Sequence, residues 1–442
     1  MRADPVIQAD APRLDGSLTE QTFAALVDQL RPRGRESAPD LVSLLSVSHA
    51  VFRGRSASSV VRMRAYAMAA LHDTGLPDQA VPYIVEVLET SFHSDLVAAA
   101  ARAVRGMATP DARLADYLIR SIYNVWQNDQ PVTFETYDVK WPLTGFSTAL
   151  LEVLDTLAWL GPQARHVIPE LDTLLSTFSK RFSPRVRAGI ERCIETLRSS
   201  AADSPKACCC GSAPLIDSGA VTSGKDLDIE SIELEDQDGR RLAWYQFFKG
   251  KPSILAFFYT TCMNPRKCAL TVYNLVSIHQ RLSDAGLDDQ VRIAAITYDP
   301  QRDTPAVLRQ YGESKGVRFG ADCKMMRVSN QFDRVIEAFE LGVNYIGNQV
   351  NDHRVELYSL DCDGKITHTF LRLQADPERV ITELARVREL RRSNGPATTS
   401  DASHAKALRC RAEQAAIPGD DHLLPDAADI GSFTARDCSV PK

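Results

Sequence analysis

Two cysteines with five residues between them offer the most chemistry in this chain. They bound the stretch Cys262-Met263-Asn264-Pro265-Arg266-Lys267-Cys268, and Thr260-Thr261 and the apolar run Ser253-Ile254-Leu255-Ala256-Phe257-Phe258-Tyr259 stand directly before it. The apolar run predicts a buried strand feeding a helix, with Asn264 as N-cap and Pro265 at the first helical position. Cys262 then falls before the cap and Cys268 in the first helical turn. The positive end of the helix dipole favours thiolate over thiol there, and Arg266 and Lys267 add positive charge. Paired thiolates exchange with disulfides or hold soft metal ions, and the pair alone leaves both chemistries open.

Such a pair needs a scaffold, and residues 229–391 alternate between strand and helix patterns. Asp238-Gly239 reads as a hairpin turn between Ile232-Glu233-Leu234 and Arg241-Leu242-Ala243-Trp244. The strand at 253–259 leads into a helix over 265–284, whose apolar stripe is Val272, Leu275, Ile278 and Leu282. A strand at 291–297 comes next, then a helix at about 304–315 and another from near 328 through Val335, Ile336 and Phe339. Strands at 354–360 and 365–371 flank the turn Asp361-Cys362-Asp363-Gly364, and a last helix covers about 376–391. The order is α/β with the thiols at a strand-to-helix junction, a thioredoxin-like arrangement.

Three motifs in this domain resemble the Sco/SenC family, thioredoxin-like copper proteins that support assembly of the copper centre of cytochrome oxidase. The first is Phe258-Tyr259-Thr260-Thr261-Cys262 with Cys268. The second is Thr297-Tyr298-Asp299-Pro300-Gln301-Arg302-Asp303-Thr304-Pro305, and the third is Asn351-Asp352-His353-Arg354, placed before a strand. The resemblance covers about 140 residues and implies that Cys262, Cys268 and His353 ligate copper. The chain departs from it in the cysteine spacing, five intervening residues where the family has three. Two thiolates and one imidazole make a soft set suited to copper(I). His353 separates the readings, because a metal site needs it and a dithiol reductase does not. Asp299, Arg302, Asp303 and Asp352 are expected to brace the site from behind the ligands.

The remainder of the chain is organised differently. Residues 15–200 carry apolar residues at helical spacing throughout. The pairing of His166-Val167-Ile168-Pro169-Glu170-Leu171 with Ser183-Pro184-Arg185-Val186-Arg187-Ala188 resembles HEAT repeats, which implies a solenoid able to hold a partner protein. An aromatic insert from Gln127 to Trp141, with Phe134 and Tyr137, is expected to pack across that solenoid. Residues 201–228 read as a flexible linker, and Cys208, Cys209 and Cys210 within it could relay thiols to the main pair or hold a soft metal. Residues 392–442 read as a mostly disordered tail with Cys410, Cys438 and a short helix at 403–415. Cys193 is expected in a helix core, Cys323 in a surface loop and Cys362 in a turn, and His279 is expected to be structural.

Composition narrows the functions. The chain has 442 residues, a formal charge of −6 and 44% hydrophobic residues, so two or three globular domains are expected and a nucleic-acid partner is not. No run approaches the roughly 20 apolar residues of a membrane span, and Met1-Arg2-Ala3-Asp4-Pro5 is followed by no apolar signal region. The sequence therefore predicts a cytoplasmic protein without a membrane segment. Ten cysteines in so long a chain do not make a disulfide scaffold. The function expected is a copper-binding Sco-like protein in metal delivery, sensing or copper-linked thiol redox, with a helical scaffold for a partner. A thiol–disulfide oxidoreductase using Cys262 and Cys268 is the alternative, and a non-catalytic HEAT-type interaction protein the second alternative.

Overall fold

Among the described residues up to Ser200, apolar residues at three- and four-residue spacing fold the chain into helices α1 to α9. A computed structural model describes residues 14–138, 146–200, 229–371, 377–382 and 384. The helices are α1 (Glu20–Leu30), α2 (Ala38–Ser43), α3 (Ala57–Thr74), α4 (Val81–Thr90), α5 (Ser94–Val104), α6 (Ala115–Val125), α7 (Ala149–Leu160), α8 (Ile168–Phe178) and α9 (Pro184–Ser199). Thr19, Ser56, Thr148 and Ser183 cap α1, α3, α7 and α9 by accepting from the backbone N–H three residues on. Each such cap contributes about 1 kcal/mol. Helix α3 packs on α5, α5 on α7 and α7 on α9, while α4 packs on α6. The sandwiched α5 is rich in alanine (Ala98 to Ala101 and Ala103, all buried), which lets its neighbours approach closely. Gly106 belongs to the same tight packing, since a Cβ there would lie 2.3 Å from the Leu71 carbonyl oxygen. A short two-stranded ladder pairs β1 (Pro131–Val132), in the aromatic insert, with β2 (Ser147–Thr148), directly before α7. Phe134 and Tyr137 of that insert are buried against the helices, as expected; Trp141 lies outside the described residues.

The second half is a seven-stranded mixed sheet between helices. Its strands are β3 (Glu233–Asp236), β4 (Arg241–Ala243), β5 (Ser253–Phe258), β6 (Arg292–Thr297), β7 (Cys323–Val328), β10 (Glu356–Leu360) and β11 (Ile366–Leu371). They run in the order β11-β10-β5-β6-β7-β3-β4. β5, β6 and β7 are parallel, and the other pairings are antiparallel. Every residue of β5 is buried, so its alternation divides two cores rather than core from solvent. Leu255 and Phe257 join Trp244, Phe248, Tyr298, Phe339 and Tyr358 on one face. Ile254, Ala256 and Phe258 join Val272, Leu275, Ile278 and Leu308 on the other, beneath helices α11 (Leu270–Asp284) and α12 (Pro305–Ser314). The short α10 (Trp244–Phe248) follows β4, and α13 (Phe332–Phe339) packs on the opposite face from α11. A separate hairpin pairs β8 (Val343–Ile346) with β9 (Gln349–His353). The helical and α/β halves pack together as one compact unit.

Several expectations need correction. Residues 323–328 form a strand at which Cys323 and Met325 face the core, so Cys323 is buried and not a surface-loop thiol. The helix expected from near 328 starts at Phe332, because the strand occupies the residues before it. His353 does not merely precede a strand: it closes β9, and the next strand begins at Glu356. The Ile346-Gly347-Asn348-Gln349 turn, with Gly347 at φ +55°, is a hairpin signal that the sequence carried. Cys193 is in the helix core and Cys362 in a turn, as expected. Cys208, Cys209, Cys210, Cys410, Cys438, the 201–228 linker, the 403–415 helix and the 392–442 tail lie outside the described residues. Of the helix expected at 376–391, residues 377–382 and 384 are described, and they are helical.

Candidate metal centre

Strand β5 delivers the chain to the site and then stops. Asn264 caps the turn beyond it by accepting from the Arg266 N–H at 3.0 Å, and Pro265 stands at the first position, as its missing N–H permits. That turn, Pro265–Ala269, is π-helical, wider than the α-helical start expected, and only at Leu270 does regular α11 begin. The Cys268 sulfur accepts from the Tyr259 N–H at 3.4 Å, back at the strand end, and is fully buried. Cys262 stays half-buried on the loop above it.

The hairpin β8–β9 brings His353 from 85 residues further along. Its Nε2 lies 3.6 Å from the Cys262 sulfur and 3.4 Å from the Cys268 sulfur. The three donor atoms fall within 4.8 Å of one another, and among the described residues this is the cluster of three that can hold a metal ion. The other ring nitrogen, Nδ1, stands 3.0 Å from the Arg354 carbonyl and donates to it. That bond fixes the tautomer and leaves the Nε2 lone pair facing the sulfurs. Tyr259 and Tyr298 hold the ring in place, at centroid separations of 5.3 and 5.2 Å.

The two thiols are unequal. A hydrogen bond from Cys268, with His353 beside it, drives the Cys262 thiol well below the ordinary cysteine range. Burial and the neighbouring Cys262 charge push Cys268 far above it. The two shifts run in opposite directions, so Cys262 gives up its proton more readily than the buried Cys268. The remaining sequence candidates surround it. Asp352 carries the site's negative counter-charge: its Oδ1 accepts from Lys267 Nζ and from the His353 N–H, both at 2.8 Å. Its Oδ2 accepts from Arg64 Nη1 at 2.9 Å. Burial opposes that charge, but Lys267 and Arg64 hold the carboxyl well below the usual carboxylate range. Asp303 is buried and accepts from the Thr260 N–H at 3.1 Å and from the Thr260 and Thr297 hydroxyls, so it pins the loop that leaves β5. Asp299 accepts from the Arg302 N–H at 3.4 Å, and Arg302 pairs loosely with it at 3.8 Å. Neither is in the donor cluster.

Sequence reasoning missed Arg64 and the structural part of Lys267. It also missed three asparagines that reach the helical half: Asn264 to the Thr90 carbonyl, Asn344 to Phe52 and Asn351 to Arg55, at 2.8, 3.2 and 3.1 Å. No local pattern announces a pairing such as Arg64 with Asp352, 288 residues apart.

The profile of the SCO1/SenC family matches residues 222–389. A SCO2-like protein of Rickettsia typhi is 29% identical over 151 residues, covering 33% of this chain and 71% of the relative. Among solved structures, Bradyrhizobium japonicum ScoI with copper bound is 26% identical, covers 36% of this chain and 96% of that one, and gives a TM-score of 0.29. Copper-bound yeast Sco1 is 22% identical, with 37% and 93% covered and a TM-score of 0.29. The match stops at the α/β half, and the helical half falls outside it.

Proposed function

We propose that this protein binds copper(I) through Cys262, Cys268 and His353, in the service of copper delivery, sensing or copper-linked thiol redox. The observation that carries the reading is the convergence of two sulfurs and one imidazole nitrogen within 4.8 Å. The donor set is soft, matches copper(I) better than harder ions, and has its imidazole tautomer already fixed. The copper bound in the solved relatives belongs to those proteins; the support here is the donor chemistry of this chain. Copper(I), when bound, supplies a thiophilic one-electron centre. The chain's own residues do the rest. Cys262 enters as thiolate, Cys268 gives up its proton on binding, and Asp352 and Asp303 hold the histidine and the loop in register. Asp299 and Arg302 brace the turn beneath.

A titration of copper(I) against a chromophoric chelator tests this. One tight equivalent is expected in the wild type and none in the Cys262→Ala/His353→Ala double variant. Unchanged stoichiometry and affinity in the double variant overturns the reading.

The unequal thiols favour a second reading, a thiol–disulfide oxidoreductase in which Cys262 attacks and Cys268 resolves. Turnover of a disulfide substrate with the pair intact supports it, and its absence removes it. We further read the stacked helices as a HEAT-like repeat of residues 15–200 that offers its outer surface to a partner protein. Residues 229–391 are then the copper domain, with 201–228 a linker that can relay thiols through Cys208 to Cys210 and 392–442 a tail. Among the described residues no helix is long and apolar enough to cross a membrane. We assign the chain to the cytoplasm, where clustered thiols stay reduced.

A further inference from the structure

We propose that Arg64, on the helical half, is a positioning residue for the Cys262–Cys268–His353 centre, so that the helical half both sets and reads the state of the metal site. The inference rests on the copper reading for what is bound, and on geometry alone for how the two halves are joined.

Among the described residues Arg64 is the only buried arginine or lysine. It sits in the middle of α3, flanked by the buried Met63 and Ala65. A guanidinium placed there needs partners on every side, and it has them in two parts of the chain. Its Nε donates to the Leu45 carbonyl at 3.0 Å, within the helical half. Its Nη1 donates to Asp352 Oδ2 at 2.9 Å, in the α/β half. The same carboxylate accepts through Oδ1 from Lys267, one residue before Cys268, and from the backbone of His353. Lys267 also donates to the His353 carbonyl at 2.6 Å. One carboxylate thus ties α3, the cysteine loop and the histidine strand together.

Three further fasteners work in the same way. The cysteine loop, β8 and β9 each carry an asparagine that donates to a backbone carbonyl of the helical half: Thr90 at the end of α4, Phe52 and Arg55. The Thr90 carbonyl ends α4 and lacks an intrahelical donor, and the Asn264 side chain supplies one. Every element that bears a ligand, or pairs with one that does, is therefore held by the helical half. A scaffold serving only to recruit another protein needs none of this. Because coupling between sites is reciprocal, fixing His353 and Cys268 on a metal must also tighten residues 45–64.

The test uses the full chain with Arg64→Met and Arg64→Lys. In metal-free protein, Cys268 is expected to alkylate about tenfold faster in Arg64→Met as its clamp loosens locally, with Arg64→Lys between it and the wild type. Cys193 and Cys323 serve as internal controls by mass spectrometry, and their rates should not move. Copper(I) affinity should fall roughly 10- to 100-fold in Arg64→Met, as for loss of other groups that orient ligands. Hydrogen exchange of residues 45–64 in the wild type should slow when copper(I) is added. A folded Arg64→Met with wild-type Cys268 reactivity overturns the proposal, and so does general exposure of Cys193 and Cys323 alongside Cys268. Should Arg64→Met fail to fold, unchanged exchange at residues 45–64 on copper addition overturns it as well. A wild type that binds no copper overturns the copper reading instead, and the metal-free alkylation rates then decide the place of Arg64 on their own.

Discussion

Cys262 and Cys323 stand near opposite ends of parallel strands in one sheet, and the contrast between them explains the site. Cys323 opens β7 among Met325, Leu308 and Tyr311, and burial pushes its thiol up to about 12. Cys193 in α9 is pushed to about 12 for the same reason. Cys262 follows the carboxyl end of β5, where the chain must turn into a helix, and there its thiol is driven down by Cys268 and His353. Burial alone makes a cysteine inert; a strand end that gathers a second thiol, an imidazole and a helix start makes it reactive. The carboxyl edge of a parallel sheet is where such loops converge.

The contrast can be broken in several ways. Cys262→Ser or Cys268→Ser should lower copper(I) affinity about 1000-fold or more, while Cys323→Ser and Cys193→Ser leave it within error, read by chelator competition. At pH 6, iodoacetamide should modify Cys262 at least about 100-fold faster than Cys323, followed by peptide mass spectrometry. The Cys262 thiol, held far below the usual value of about 8.5, keeps its thiolate as pH falls from 8 to 6, so its rate stays flat, whereas an ordinary thiol slows about tenfold per unit. Asp352→Asn should weaken copper(I) binding roughly 10- to 100-fold by freeing Lys267 and the His353 backbone, with both sulfurs still present. The smallest effect should come from Cys323→Ala. It should cost about 1 kcal/mol in chemical denaturation, the loss of a small buried side chain, without altering Cys262 reactivity.

The three side chains that cluster were legible in the sequence: Cys262 through the strand that ends at it, Cys268 through the Asn-Pro helix start, and His353 through the Asp-His motif shared with the Sco/SenC family. It also revealed most of the α/β order, since buried strands and striped helices carry their own periods. Strand β7 was harder to read, because Cys323-Lys324-Met325-Met326-Arg327-Val328 has mixed polarity and borders a helix pattern. The β8–β9 hairpin was overlooked although Gly347-Asn348 marks its turn. The clamp was beyond sequence reading altogether. Arg64 looks like one more polar residue in a helix until the fold sets Asp352 beside it, and the three asparagines look like ordinary loop residues until the carbonyls of Phe52, Arg55 and Thr90 meet them.

X-ray absorption of the copper(I)-loaded full chain tests the central claim most directly. Two sulfurs and one imidazole nitrogen around each copper are the expected coordination, with the nitrogen lost in His353→Ala. An all-sulfur environment, or one that His353→Ala leaves unchanged, contradicts the account.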